Sequence, residues 1–322
     1  MEAVMKLITI FFLLLTGCIL THSSQSLSYA LLGLELWFNK MIPSLLPFMI
    51  LSGIMVRLNL TEKMAMAVYP VVNPLYKIRK NVCYCMLLGF LCGFPMGAKV
   101  TGELRERGLL TTREAQFLLA FCNNIGPVYF LSFALPLLGR RLVFPYLFGM
   151  YGIPLLYGLV LRHTVYRDIE MPGVIRKDYR SQRELRSCEQ RPQEKCLWFR
   201  VLEATEQSVQ ASIQSIMMLG GYMILFNLMN LIPHVLLGRP LDILGPLLEI
   251  TGGLGMLKER LPLFSLLALS FGGLSCIAQT YSCIKNTDLS LSGYIYHKVF
   301  LTMLNAAFYL CWSLFLPSSF LR

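Results

Sequence analysis

The sequence predicts an all-α membrane protein that crosses the bilayer several times and is built from two related, inverted repeats. Three observations carry this prediction: the composition, the spacing of charge-free segments and a series of matching motifs. Of the 322 residues, 55% are hydrophobic and only 15% are charged, which is more apolar surface than a soluble domain of this length can bury. Interrupted or re-entrant helices of the two repeats are expected to meet at mid-membrane.

Charge-free segments recur along the chain at the length of a membrane-spanning helix. Such a helix needs roughly 20 consecutive apolar residues. The segments without Asp, Glu, Lys or Arg are 7–34, 41–56, 81–98, 115–139, 142–161, 207–238, 261–284 and 299–321. Most of them can cross the bilayer. Segment 81–98 is short and rich in glycine and proline, so we expect an interrupted helix there.

The chain is expected to divide into four parts. These are an N-terminal membrane helix with a short loop (1–28), a first repeat (29–161), a charged cytoplasmic linker (162–206) and a second repeat (207–322). An uncleaved first helix is favoured over a signal peptide, because the rest of the chain also spans the membrane.

The net charge of +11 does not indicate nucleic-acid binding, because the basic residues lie in short loops between apolar segments. The positive-inside rule then places the linker, residues 77–80 and residues 105–113 on the cytoplasmic side. The pair Arg140 and Arg141 falls on the outer side in this scheme and does not fit the rule.

The repeat is predicted from matches that occur in the same order on both sides of the linker. Residues 48–51 (FMIL) match 222–225 (YMIL), and 74–78 (PLYKI) match 246–250 (PLLEI). Glycine-rich breaks then follow in each half, and each break precedes a helix-start signal of the Leu-Thr or Leu-Ser type.

In the first half, Gly93, Pro95, Gly97 and Lys99 form the first candidate binding segment. Glycine and proline interrupt the helix and leave backbone groups that protein, water or ligand must satisfy. A half-helix N-terminus also attracts anions, and Lys99 could pair with one. The alternative is that the glycines only allow close packing and that Lys99 extends to the membrane interface.

The adjacent amides of Asn123 and Asn124, with Gly126 next to a proline, form the second candidate segment. We favour a ligand or ion site, and the alternative is an interhelical hydrogen-bonding clamp worth about 1 kcal/mol or less. Upstream, Thr111 and Glu114 have the spacing of a capping box, a structural role.

In the second half, the corresponding candidates are Gly272, Gly273, Ser275 and Gln279, the last two being four residues apart and on one face of a helix. Glu249 is a candidate for proton or cation coupling, since a carboxylate in an apolar segment is costly. The alternative is an interfacial charge that pairs with Lys258 or Arg260.

The sequence gives no reason to propose an enzyme, a metal site or a cofactor. It contains none of the HExxH, GxSxG, Walker or GxGxxG motifs. The four histidines are far apart, and no cysteine pair has a CxxC spacing.

Several of these segments together resemble a known family. They are 92–99 (CGFPMGAK), 114–115 (EA), 121–127 (FCNNIGP), 248–251 (LEIT) and 271–279, which begins FGGLS and ends in Gln. The chain is similar here to the YlbJ-type sporulation integral membrane proteins, which carry the nucleoside recognition or Gate domain, and the similarity runs from about Leu32 to Phe315. The resemblance implies transport of dipicolinic acid across the outer forespore membrane, and helical hairpins of two repeats that enclose the substrate.

The leading hypothesis is therefore a secondary transporter for a small organic anion, most simply dipicolinate. One alternative is a transporter of nucleosides or other small solutes. Another is a non-transport scaffold for spore-envelope assembly. The expected partners are the anionic substrate and the lipid bilayer, with a homo-oligomer or other sporulation membrane proteins as further possibilities.

Overall fold

The computed structural model describes residues 2–169, 197–257 and 260–315. Every regular element in these ranges is helical, as the composition predicts. The first half contains α1 (Glu2–Thr21), α2 (Ser23–Leu36), α3 (Ile42–Arg57), α4 (Thr61–Ala65), α5 (Tyr69–Tyr76), α6 (Lys80–Cys92), α7 (Met96–Glu106), α8 (Thr112–Phe121), α9 (Pro127–Tyr129), α10 (Leu135–Leu138), α11 (Val143–Leu147) and α12 (Ile153–His163). The second half contains α13 (Leu197–Leu228), α14 (Leu231–Leu237), α15 (Leu244–Leu248), α16 (Ile250–Leu257), α17 (Pro262–Phe271), α18 (Gly273–Ile284) and α19 (Leu291–Phe315).

Six helical segments in the described residues are long and apolar enough to cross a membrane. They are Glu2–Thr21, Ser23–Arg57, Val143–His163, Leu197–Leu237, Pro262–Ile284 and Leu291–Phe315. The protein is an integral, multi-pass membrane protein, and hydrophobic side chains that face outward from these helices are suited to lipid.

The expectation of a short loop before residue 28 is wrong, because residues 23–28 are helical. Only His22 separates α1 from α2, which begins at Ser23, and a π-helical turn (Trp37–Met41) joins α2 to α3. The absence of charge in this segment was compatible with a loop outside the bilayer. It is equally compatible with a spanning helix.

Charged side chains gather at one end of the molecule. Arg105 contacts Asp288 at 2.9 Å, and Arg113 contacts Asp168 at 2.9 Å. These guanidinium groups lower the pKa of both carboxyls, and that of Asp288 falls to about 2. We call this end, defined by these four residues, the charged face. The loops after α7, α12 and α18 lie at this face.

The predicted capping box and the expected meeting of basic loops are both present at this end. Thr111 accepts a hydrogen bond from the backbone of Glu114, whose carboxylate accepts from the backbone N–H of Thr111. The same carboxylate pairs with Arg79. Arg162 donates to the backbone oxygen of Lys77 at 3.0 Å, so the segment before α6 and the end of α12 also meet here.

The other end of the molecule, the opposite face, is marked by Asp242 and Arg260, which contact each other at 2.9 Å. Helix α13 runs towards it from the charged face over 32 residues, about 48 Å at the α-helical rise. Helices α17 and α18 return from it to the loop of Asp288.

Two helical hairpins point into the protein from these two ends. Helix α6 begins next to Arg79 and α7 ends beside Arg105, so the α6–α7 hairpin has both outer ends at the charged face. The α15–α16 hairpin begins two residues after Asp242 and ends three residues before Arg260, so its outer ends lie at the opposite face. The tips of the hairpins therefore approach each other inside the protein.

Candidate functional site

The tip of the α6–α7 hairpin lies against the break between α8 and α9. Gly93 has φ of +75°, which favours glycine, and a Cβ there would collide with the backbone of Gly126. The backbone N–H of Phe94 donates to the carbonyl of Asn124 at 2.8 Å. The two interruptions of the first half therefore form one unit, the first junction (residues 92–97 and 122–127).

The second half contains a contact of a similar kind. Gly273 follows the end of α17 with φ of +80°, and a Cβ there would lie 3.2 Å from the carbonyl oxygen of Leu248 at the tip of the α15–α16 hairpin. These residues form the second junction (246–253 and 270–276). A Cβ on Gly272 would lie 2.7 Å from the ring of Phe94, so the two junctions touch.

Glu249 caps a helix at the second junction. It is only 2% exposed and stands between α15 and α16 with an extended backbone. Its carboxylate accepts hydrogen bonds from the backbone N–H groups of Thr251 (3.1 Å) and Gly252 (2.6 Å) and from the amide of Asn227 (3.1 Å). Backbone donors at a helix N-terminus stabilise a carboxylate by hydrogen bonding and by the helix dipole.

The alternative interpretation of Glu249 as a partner of Arg260 is wrong, because Arg260 pairs with Asp242 at the opposite face. The other proposed partner, Lys258, lies outside the described residues. An interfacial charge was a reasonable expectation for a carboxylate close to two basic residues in sequence. The hairpin turn directs it inward instead.

The two amides of the first junction have different contacts. Asn123 donates to Thr280 at 2.9 Å and to Tyr294 at 3.3 Å, on α18 and α19. The amide of Asn124 donates to the carbonyl of Phe121 at 2.6 Å. The side chain of Asn123 thus has the contacts of an interhelical clamp, and that of Asn124 closes the end of its own helix.

Lys298 is a site residue that the sequence interpretation missed. It is 3% exposed, and its ammonium donates to the backbone oxygen of Asn123 (3.1 Å) and to the side-chain oxygen of Asn124 (3.2 Å). The ring of Phe94 lies 4.3 Å from the same nitrogen. The predicted charge-free segment starts at residue 299, so Lys298 was interpreted as a charge that flanks the membrane helix. In the structure, Lys298 lies seven residues after the start of α19.

A signal for this lysine was present in the sequence. Tyr294, Lys298, Asn305 and Tyr309 are spaced by four, seven and four residues and are all buried on one face of α19. Asn305 donates to Ser270 at 2.6 Å. A polar stripe along a spanning helix points to the protein interior.

A small inner cavity of about 50 Å³ lies where the junctions meet. Its lining includes Phe94 and Gly126 of the first junction and Glu249 and Cys276 of the second. Apolar side chains from α3 and α13 complete the wall, Leu45 and Leu219 among them. Residues at or next to all four helix interruptions therefore line one cavity.

A larger, more polar cavity of about 260 Å³ lies towards the charged face. We call it the vestibule. Its lining includes Pro95, Lys99, Glu103, Lys285 and Gln279. Leu219 and Gln279 line both cavities, so these two side chains stand between the vestibule and the inner cavity.

Lys99 lies in the vestibule wall, and it does not extend to an interface. Its ammonium donates to the hydroxyl of Ser215 at 2.9 Å and to the carbonyl of Ala211 at 3.4 Å. It forms no ion pair within the described ranges. The nearby Arg57 is neutralised by Glu103 at 2.9 Å. The hydrogen-bond partners of Lys99 are therefore neutral, and the carboxylate of Glu103 lines the same cavity.

The remaining predicted site residues belong to the two junctions, and they are absent from the described linings of both cavities. They are Gly93, Gly97, Asn123, Asn124, Gly272, Gly273 and Ser275. A Cβ on Gly97 would lie 2.8 Å from the carbonyl oxygen of Cys122, which is the close packing given as the alternative. Ser275 accepts from Gln279 at 2.9 Å, as their predicted common face requires. In the described part of the chain, no cluster of His, Cys, Asp or Glu could hold a metal ion.

The comparison with known proteins agrees with the resemblance found in the motifs. The sporulation integral membrane protein YlbJ of Bacillus subtilis (strain 168) is 26% identical over 350 aligned residues, which cover 95% of this chain and 84% of the relative. The two proteins are homologues. The relative's name describes a membrane protein and no enzymatic activity. No family model matches the chain, and no solved structure matches it.

Proposed function

We propose that the protein is a secondary transporter whose substrate passes between the vestibule and the inner cavity. The observation that carries this proposal is the meeting of four helix interruptions around a cavity that adjoins a polar vestibule. Non-helical backbone within a membrane is tolerated where protein buries it or where it lines a cavity. Binding sites made of discontinuous helices at the interface of two repeats are typical of secondary transporters.

The two halves are proposed to be inverted repeats. In the first half, a hairpin from the charged face (α6–α7) is followed by an interrupted helix that leaves that face (α8–α9). In the second half, a hairpin from the opposite face (α15–α16) is followed by an interrupted helix that leaves that face (α17–α18). The same order in opposite orientation supports the repeat, and rocking of one half against the other would give alternating access.

The charged face is proposed to be cytoplasmic, because it collects basic loop residues. The vestibule adjoins this face through Glu106 and Lys285. The conformation then corresponds to a state that is accessible from the cytoplasm. Gln279 and Leu219 separate the vestibule from the inner cavity in this state.

The proposed substrate is a small organic anion, and dipicolinate is the leading candidate. Lys99 offers an ammonium that forms no ion pair in the described structure, and Gln279 offers an amide. The homologue is a sporulation protein by name, and the family resemblance implies dipicolinate movement across the outer forespore membrane, from the mother cell. Residues 170–196 of the proposed linker lie outside the described residues.

Dipicolinate uptake in a non-sporulating host, followed by terbium luminescence, tests the proposal. We expect uptake above the empty-vector level, and a reduction of roughly tenfold to a hundredfold in Lys99→Ala, since loss of a charge-assisted contact costs about 1.5–3 kcal/mol. Gln279→Ala should reduce uptake by a smaller factor. Lys63→Ala and Gln207→Ala are matched controls, because these side chains are exposed and line neither cavity.

The outcomes separate the proposed functions. No uptake by wild-type protein that is present in the membrane would contradict dipicolinate transport. Inhibition of an observed solute flux by nucleosides, without inhibition by dipicolinate, would favour a nucleoside carrier. Normal sporulation in Lys99→Ala and Gln279→Ala strains, with loss of sporulation when part of 170–196 is deleted, would favour the scaffold.

A further inference from the structure

Lys298 places a positive charge where the first junction exposes backbone oxygen. In a continuous helix, the carbonyl of Asn123 would accept from the N–H of residue 127, but Pro127 has none. This carbonyl follows the C-terminus of α8, the negative end of the helix dipole. Its partner in the structure is the ammonium of Lys298, at 3.1 Å.

The second oxygen that binds the ammonium of Lys298 belongs to the side chain of Asn124, and an independent contact fixes its orientation. Asn124 donates its amide nitrogen to Phe121 at 2.6 Å, which turns its side-chain oxygen towards Lys298 at 3.2 Å. The face of Phe94 covers the ammonium from another side, an arrangement that attracts cations. Lys298 forms no ion pair with any carboxylate in the described residues, so its environment consists of oxygen dipoles and an aromatic ring.

Two of these features also occur around bound alkali cations. Unwound carbonyls and the C-terminal ends of half-helices coordinate Na⁺ in membrane transporters. Asn123 also has a buried side-chain oxygen without a hydrogen-bond partner in this part of the structure. A lysine on a neighbouring helix supplies the charge here.

We propose that the ammonium of Lys298 is a tethered cation that occupies a monovalent-cation site at the first junction. The wild-type protein therefore takes up no Na⁺ at this junction, and its stability does not depend on Na⁺. Removal of the charged end of the side chain leaves an oxygen-lined site that accepts a small monovalent cation from solution. This inference concerns ion binding, so it stands or falls independently of the transported substrate.

Thermal unfolding of the purified full-length protein in detergent tests the proposal. Wild type and Lys298→Met are compared in NaCl, LiCl and choline chloride at equal ionic strength. Lys298→Met should unfold at a lower temperature than wild type in choline. A saturable increase in its Tm of roughly 3 °C is expected in NaCl or LiCl, because a ligand that binds only the folded state stabilises it. Wild type should show the same Tm in all three salts.

Two further variants control for unspecific effects. Lys298→Arg keeps the charge and should remain insensitive to the choice of salt. Lys99→Met removes the vestibule lysine, whose partners are a hydroxyl and a helical carbonyl, and should not acquire a sodium-dependent Tm. Lys298→Gln replaces Lys298→Met if the latter yields no folded protein in any salt.

The proposal is overturned if the neutral variants have equal Tm values in NaCl and choline, or if neither variant is recovered as folded protein in NaCl. It is also overturned if Na⁺ stabilises wild type as much as the variants, since the ammonium would then not occupy the cation position.

Discussion

At both junctions a charged side chain binds polar groups at a helix interruption, but the two charges are opposite in sign. At the first junction, the interruption exposes the backbone carbonyl of Asn123 after α8, and the ammonium of Lys298 binds it together with the side-chain oxygen of Asn124. At the second junction, the interruption exposes N–H groups at the start of α16, and the carboxylate of Glu249 accepts their hydrogen bonds. Each charge has the sign that the helix end requires.

The difference between the junctions also concerns the origin of the charge. Glu249 belongs to the tip that it stabilises, so the second junction is completed by its own hairpin. Lys298 comes from α19, so the first junction needs a helix from the other half of the chain. Movement of α19 relative to α8 would therefore disturb the first junction and leave the hydrogen bonds of Glu249 in place.

The largest expected effect on stability comes from substitution of a glycine at a close backbone contact, a type of contact that occurs at both junctions. Gly93→Ala puts a Cβ into the backbone of Gly126 at a residue with positive φ, so we expect a loss of about 4 kcal/mol or more in the free energy of unfolding. Unfolding by SDS in mixed micelles measures it. Gly221→Ala is the matched control, because its Cβ would meet nothing within 4 Å. Equal stability of the two variants would show that the junction is not closely packed.

Removal of the carboxylate at the second junction should have the next largest effect. Glu249→Ala leaves the N–H groups of Thr251 and Gly252 and the amide of Asn227 without their acceptor. We expect a loss of about 2–4 kcal/mol, since buried donors lose a charged partner. The same SDS titration measures it, with Asp242→Asn at the opposite face as the control. A loss below that of the control would contradict the capping role.

The amide of Asn123 should contribute less, because hydrogen bonds between membrane helices are weak. Its contact with Thr280 joins the first junction to α18. A double-mutant cycle with Asn123→Ala and Thr280→Val should give a coupling energy of about 1 kcal/mol. A coupling energy near zero would mean that the two side chains are not held together in the folded protein.

Much of this arrangement could be predicted from the sequence. Glycine and proline in 92–99 and 121–127 predicted where helices stop, because these residues interrupt helices through local geometry. The capping box of Thr111 and Glu114 was predicted for the same reason. Local rules identify an interruption wherever the residues responsible are adjacent in sequence.

The partners across each interruption could not be predicted. Lys298 is more than 170 residues from Asn124, and no local pattern connects the two. Glu249 was singled out as a buried charge, but its function as a cap depends on a turn that directs it away from Arg260. Sequence spacing therefore predicted the positions of the junctions, whereas packing determines which charge completes each one.

The smallest expected effect on stability concerns the ion pairs at the two ends of the molecule, the charged face and the opposite face. Asp288 contacts Arg105 at the charged face, with half of its side chain exposed. Asp288→Asn should cost less than about 1 kcal/mol, because solvent screens such pairs. The pKa of Asp288 is lowered to about 2, so its contribution is complete above about pH 4, the ordinary pKa of an aspartate, and is lost as the pH falls through 2. The difference in Tm between wild type and Asp288→Asn, measured from pH 7 to pH 3, should be constant down to about pH 4 and then decrease. A difference that is already lost at pH 6 would contradict the ion pair and would assign the stabilisation to another group.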